Sequence, residues 1–367
     1  IMRRMPGCDP PDLYYLQSRT SCNVMPQLLI NRNKWKFASK SYITECIDEI
    51  ATMEGEAVLG SEKSKWASDR KANNPGELAG ETEREWRTKC KEEGMKKMHL
   101  KNAPMSGDYK PEGLEGKDNV LLSDGERRNY QSLIGKLQWI VQLGRYNIGY
   151  AVSTLSQFNS SPKVGHLEGV RTVFGYLRKH IDYRLHISPD RITGIGKKYG
   201  EDKEKLMKER YPYAEEERSE REPSPLSTEC GTTIFTDASH ASEYQRRSVT
   251  GIIAYYGSTP IFWVSKRQKV IAGSTYESEF LALKAAIDEA RGLRFLLRGM
   301  GIEVVRETSI LGDNQGVLKS AGNHDAGLNK KHIGIVYHRC SARTFPKGSV
   351  GVHTLRSPIV ARETLHS

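Results

Sequence analysis

The hydrophobic period of the chain changes once along its length, and that change limits what it can fold into. Between residues 130 and 177, apolar side chains recur at three- and four-residue intervals. The first stripe is Tyr130, Leu133, Ile134, Leu137 and Val141; the second is Ile148, Ala151, Val152, Leu155 and Phe158; the third is Leu167, Val170, Phe174 and Leu177. Such stripes line one side of an α-helix, and Gly144 predicts a turn between the first two. From Thr232 the pattern becomes short β-branched and aromatic runs broken by turn residues. Strands are expected at 232–236, 248–256, 261–264, 269–272, 308–311 and 350–355, and helices at 277–300, 317–321 and 332–343. That order predicts a mixed α/β domain with its sheet covered by helices, preceded by a mainly helical region.

Charge and composition place the boundaries. Residues 191–222 hold 9 basic and 9 acidic side chains before Pro223, Ser224 and Pro225. Such a stretch cannot bury much apolar surface, so it reads as a linker or a solvated helix. A second polar stretch, Gly60 to Lys97, reads as an insertion or a loose helical excursion. The expected divisions are 1–125, 126–190, the linker 191–229, and 230–367. Lys and Arg number 56 against 45 Asp and Glu, a net of +11; residues 231–367 carry +7 of it, with 18 basic and 11 acidic residues. A basic balance permits a polyanionic partner without requiring one. The absence of a long apolar run argues against a membrane span, and no apolar leader is visible at the N-terminus. Cys8, Cys22, Cys46, Cys90, Cys230 and Cys340 form no C-x-x-C pair, which favours free thiols in a reducing, intracellular setting over a disulfide framework or zinc ribbon.

Three carboxylates hold telling places in the last third. Asp237 follows the first strand, Glu277 opens the long helix, and Asp313 ends a later strand. If those strands are parallel neighbours, the three meet around one point. Crowded carboxylates repel one another unless a cation lies between them, and hard oxygen ligands suit Mg²⁺ or Mn²⁺. Each also has an ordinary structural role open to it: Asp as a turn residue, Glu favoured by the helix dipole, Asp313 as a helix cap. Glu279 competes with Glu277. Two residues apart on a helix, they point different ways, and the reading favours Glu277.

The segment from Thr236 to Gly301, containing TDASH, RRSVTG, WVSKRQ and ESE, followed by ILGDNQG and KHIGIVYH, resembles the ribonuclease H domain of Ty1/copia-type retrotransposon Pol polyproteins. Upstream, YQSLIGKLQWIVQLGRYNIGYAVSTLSQFNSSP with HLEGVRTVFGYLRKHIDYRLHIS is similar to the helical segment joining reverse transcriptase to ribonuclease H in these elements; the end of the polymerase region is echoed around Trp35 to Ile50 and at KNAPM (101–105). The resemblance implies an α/β, ribonuclease H-like mixed sheet with flanking helices after a helical connection region. It implies hydrolysis of the RNA strand of an RNA–DNA hybrid, with two Mg²⁺ ions (or Mn²⁺) held by Asp237, Glu277 and Asp313. Partners would be that hybrid and the rest of a Pol polyprotein, inside the cell in a retroelement particle.

The sequence departs from that family in four places. Arg362 stands where a fourth Asp is expected, leaving Glu363 as the nearby carboxylate to replace it. Gly334 replaces the Asp of a K-H-I-D segment, and the charged linker is longer than usual. A Y-x-D-D polymerase hairpin is absent, which with Ile1 before Met2 suggests a piece of a longer reading frame. An inactive remnant that at most binds nucleic acid is the competing expectation. Arg246, Arg247, Lys266, Arg267, Lys269, Lys330 and Lys331 are the expected phosphate contacts, while His332 and His338 are assigned to packing or hydrogen bonding and Trp263 to the core.

Overall fold

A computed structural model describes residues 35–73, 79–188, 231–243, 247–304, 306–322 and 350–355, with short pieces at 2–3, 15–16, 192, 195–199 and 222–224. Near the N-terminus, β1 (Met2–Arg3) and β2 (Tyr15–Leu16) pair antiparallel. The helical region runs from β3 (Trp35–Phe37) through α1 (Lys40–Leu59), α2 (Lys63–Asn73), α3 (Ala79–Lys97), α4 (Asp124–Gln142), α5 (Gly149–Ser156) and α6 (Val164–Lys179) to β4 (Leu185–Ile187). Strand β4 returns to pair antiparallel with β3, joining the region's two ends.

The apolar stripes become the core of this region. Tyr130, Leu133, Ile134, Leu137 and Ile140 of α4 meet Ile43, Ile47 and Ile50 of α1, and Val170, Val173, Phe174 and Leu177 of α6. Each fully buried aliphatic or aromatic side chain contributes about 1.5–3 kcal/mol. The Tyr130 hydroxyl, carried into the interior, donates to the Leu155 carbonyl at 2.7 Å. Ser123 starts α4 as half of a reciprocal cap with Glu126. Gly144 turns the chain at φ +97° as expected.

The polar stretch 60–97 is not a loose excursion. It forms α2 and α3, and α3 lies along α1 at contacts that only glycine permits. A Cβ on Gly55 would sit 1.8 Å from the Cys90 carbonyl oxygen, and one on Gly94 equally close to that of Ala51. Trp86, Cys90 and Gly94 recur at four-residue spacing, with Trp86 and Cys90 fully buried. A seam that narrow is hidden in a composition otherwise rich in Lys and Glu.

The second region is a six-stranded mixed sheet in the order β5-β10-β9-β6-β7-β8. Its strands are β5 (Ile195–Tyr199), β6 (Thr232–Glu243), β7 (Arg247–Tyr256), β8 (Thr259–Arg267), β9 (Thr308–Gly312) and β10 (Val350–Leu355). β6, β7 and β8 form an antiparallel meander, with Gly257 at φ +60° in the second turn. β9 runs parallel to both β6 and β10.

On one face, α7 (Thr275–Gly299) and α8 (Gln315–Gly322) bury Phe280, Leu283, Ile287, Val317 and Leu318 against Ile234, Ile252 and Ile310. On the other, Phe235, Ile253, Tyr255 and Leu311 pack with Tyr146 of the helical region and Trp263. Trp263 bridges the two regions: its indole N–H donates to the Val141 carbonyl at 3.0 Å, and its ring lies 5.6 Å from that of Tyr146. Its packing role is the one expected.

Two expected elements come out differently. Residues 269–272 are not a strand. β8 ends at Arg267, opposite Val249, and Gln268 then binds the Ser248 carbonyl through its backbone N–H and Thr250 and Ser278 through its side-chain amide. Those bonds turn the chain toward α7 and leave Val270 and Ile271 exposed. Within the charged linker, Ile195–Tyr199 forms neither coil nor helix but edge strand β5, antiparallel to β10. The expected helix at 332–343 lies outside the described residues. No helix among the described residues is long and apolar enough to cross a membrane.

Gly55→Ala and Gly94→Ala should each destabilise the helical region by about 1–3 kcal/mol or more, the usual cost of overpacking. Gly125→Ala, where an added Cβ meets nothing within 4 Å, should be neutral or stabilising by up to about 1 kcal/mol. Urea unfolding of the three variants checks this, and equal midpoints would contradict the close helix crossing.

Candidate metal centre

Strand register brings the first two carboxylates together. In the parallel pair β6–β9, Ile234 lies beside Ile310 and Phe235 beside Leu311. Asp237 and Asp313 each follow two residues later, so both project from matching positions on strands roughly 4.8 Å apart. β9 ends at Gly312 while β6 continues beside β7, which leaves both aspartates exposed at the end of the parallel ladder.

The third carboxylate is Glu279, not Glu277. Ligand oxygens of Asp237, Glu279 and Asp313 lie within 4.8 Å of one another. Helix α7 begins at Thr275, two residues before its expected start, with Ser274 as its cap. Glu277 serves that start. Its backbone N–H donates to the Ser274 hydroxyl at 3.3 Å, and its buried carboxylate accepts the Gly273 N–H at 2.8 Å. A residue occupied in that way cannot also reach the aspartates, whereas Glu279, two residues on, faces them. Ser274-x-x-Glu277 is itself a capping signature, so the sequence contained a signal that separates the two glutamates.

Crowding leaves an electrostatic mark. Burial, followed by the nearby Asp237 and Asp313 charges, pushes Glu279 up to about 8. Asp237 is raised too, first by the protein packed around its base and then by Asp313. The two share a hydrogen bond in which Glu279 holds the proton, and the Ala238 N–H donates to Asp237 Oδ1 at 2.8 Å. Three hard oxygen donors on rigid elements, repelling one another, form a donor set that fits a divalent cation.

The basic residues divide into two groups. Asp237 is paired with Gly251 and Gly251 with Ser265. Lys266 and Arg267 follow directly, Lys269 lies just past the strand's end, and Arg247 lies beyond Val249 on the neighbouring strand, so all four sit toward the same end of the sheet as the carboxylates. Arg247 donates to the Lys269 carbonyl at 2.9 Å and Arg267 to Gln157 of the helical region at 2.8 Å. Arg246, Lys330, Lys331, His332, Gly334, His338, Arg362 and Glu363 lie outside the described residues.

The fold thus defines the class: a mixed α/β sheet, an antiparallel meander joined by the parallel strands β9 and β10, with helices packed on its faces. No model of a known protein family matches the chain. Among curated proteins, the chain is 29% identical over 210 residues to the Retrovirus-related Pol polyprotein from transposon RE1 of Arabidopsis thaliana, covering 57% of this chain and 12% of that protein. It is 25% identical over 256 residues to the Retrovirus-related Pol polyprotein from transposon TNT 1-94 of Nicotiana tabacum, covering 66% of this chain and 16% of that protein. Among solved structures, the N-terminal ribonuclease H domain of a Mycobacterium tuberculosis protein, fused to maltose-binding protein, matches with a TM-score of 0.28 and 14% identity, over 37% of this chain and 87% of that one. The chain resembles copia/Ty1-type retrotransposon Pol polyproteins, and spans 12% to 16% of the length of those two relatives.

A pH dependence of stability follows from Glu279. Its ordinary value is 4.5 and its folded value about 8. Between the two, the folded chain keeps a proton that the unfolded chain releases, so this contribution to stability is full below about 4.5 and is lost as pH rises toward 8. In EDTA, the melting temperature of the sheet region should fall across that window, and Glu279→Gln should flatten the fall, raising the melting point at pH 8 by about 2–4 °C for each kcal/mol relieved. Glu277→Ala should lower it at every pH by removing the acceptor for Gly273. A Glu279→Gln profile matching the parent would refute this electrostatic account.

Proposed function

We propose that the chain is part of a copia-type Pol polyprotein whose sheet region hydrolyses the RNA strand of an RNA–DNA hybrid. The observation that carries the reading is the convergence of Asp237, Glu279 and Asp313 on a ribonuclease H-like sheet, in a chain that resembles Pol polyproteins.

Asp237, Glu279 and Asp313 would hold Mg²⁺ (two ions, with Mn²⁺ a substitute). When bound, the metal supplies Lewis acidity for the attacking water and the leaving oxygen of a phosphodiester. The protein's own part is positional. β6 and β9 fix the aspartates through the ladder register, α7 brings Glu279 across them, and the Ala238 N–H holds Asp237 in place. A cation held there would offset the repulsion that raises Glu279, so that its carboxylate would serve as an anionic ligand. Lys266, Arg267, Lys269 and Arg247 at the same sheet end suit phosphates on either side of the cleavage point, an interaction that reads the backbone and 2′-hydroxyls of a hybrid more than its sequence.

The test is cleavage of a labelled RNA–DNA hybrid by the full chain in Mg²⁺. Asp237→Asn, Glu279→Gln and Asp313→Asn should each cost more than the roughly 10–100-fold typical of changes outside the ligand set. Glu277→Gln should keep most activity, since the amide oxygen still accepts from Gly273. No cleavage by the unmutated chain leaves a nucleic-acid-binding remnant; a loss confined to Glu277→Gln reverses the assignment of the glutamates.

A further inference from the structure

Between α4–α5 and the sheet face opposite α7 lies a cleft of about 730 Å³, with Asp237 and Ser239 in its wall. That volume falls within the roughly 300–1,000 Å³ of ordinary ligand sites. Its helical wall presents the rings of Trp139 and Tyr150, 40% and 43% exposed. Amide and hydroxyl groups stand among them, Gln138, Gln142 and Ser153 on the helices and Ser265 on β8. Among the described residues, Asp237 is the one charged side chain in the lining.

This chemistry is selective. A phosphate would need cations, and the lining has none. A purely apolar ligand would leave the amides and hydroxyls unpaired, which costs about 1–3 kcal/mol for each buried group. A flat, uncharged heterocycle with hydrogen-bonding edges satisfies both the rings and the polar groups, and a nucleobase is such a group. The cleft shares Asp237 with the carboxylate cluster, so a base in it belongs to a strand passing that cluster. Lys266 and Arg267, beside Ser265 in sequence, lie where phosphates of that strand would emerge.

We propose that this cleft receives an unpaired nucleobase from a single-stranded extension continuous with the hybrid, stacked on Trp139 and Tyr150. The proposal rests on the hybrid-hydrolase reading for the identity of the duplex, but it concerns binding and needs no metal.

The test measures affinity of the full chain in EDTA, at fixed salt, for a blunt hybrid, the same hybrid with a short single-stranded extension, and one whose extension is abasic. The extension should tighten binding about tenfold, in line with stacking of one base on an aromatic ring, and should quench tryptophan fluorescence. The abasic extension should add nothing. Trp139→Ala and Tyr150→Ala should each remove most of the gain, Trp139→Phe should retain it, and Phe295→Ala, an exposed aromatic on α7 outside the cleft, should leave it unchanged. Far-ultraviolet circular dichroism confirms that the variants are folded. Equal affinity for blunt and extended hybrids, equal gain from the abasic extension, or a gain that survives both alanine variants would overturn the proposal. Failure of hydrolysis alone, with the extension's gain intact, would instead strike the catalytic reading.

Discussion

The parallel pairing of β6 with β9 is the constraint on which the site depends. Two strands 76 residues apart in sequence are locked side by side, as the Phe235–Leu311 pair shows. A one-residue slip in that ladder would send one aspartate to the opposite face of the sheet. The slip is prevented by burial: Ile234 and Ile310 belong beneath α7, while Phe235 and Leu311 belong against Tyr146 and Tyr255. Both faces of the pair are covered and close-packed, so a slipped ladder would seat side chains of the wrong shape under each cover. The placement of the carboxylates at the strand ends is therefore a consequence of packing in the strand centres.

That geometry costs stability in the chain as it stands. Three carboxylates within 4.8 Å are tolerated because one of them, Glu279, keeps its proton toward neutral pH and bonds to Asp237. The arrangement is unfavourable for a structural cluster and favourable for a cation site, since a divalent ion relieves the same repulsion that the proton relieves less completely. Glu277 shows the contrast. It is as near in sequence and more buried, yet its carboxylate accepts the Gly273 N–H beside the Ser274 cap, as a structural carboxylate does.

The fold was legible wherever amphipathicity was strong. The α4 and α6 stripes, the meander strands and the long helix all carry enough apolar side chains on one side to declare their period. Three features were not. The α1–α3 crossing depends on Gly55, Gly94 and a seam of Trp86 and Cys90, which give almost no hydrophobic signal because close backbone approach needs small residues rather than apolar ones. β5 lies in a charged stretch because an edge strand has one side of its ladder in solvent. The choice of glutamate turned on a helix start two residues earlier than expected, and a shift of two residues on a helix rotates the functional face by about 200°. Ser274 marked that start.

The helical region is part of the site's support and not only its neighbour in sequence. Without it, Phe235, Ile253, Tyr255 and Leu311 would form an open apolar face on the sheet, the kind of surface that drives association. Tyr146 and Trp263 close that face, and the Trp263–Val141 hydrogen bond fixes how α4 lies across it. The cover is incomplete toward Asp237, where the cleft opens. A sheet region cut away at residue 230 would lose both the packing behind its register and one wall of that opening. The physical unit that positions the carboxylates therefore begins well upstream of the sheet, at least as far back as α4.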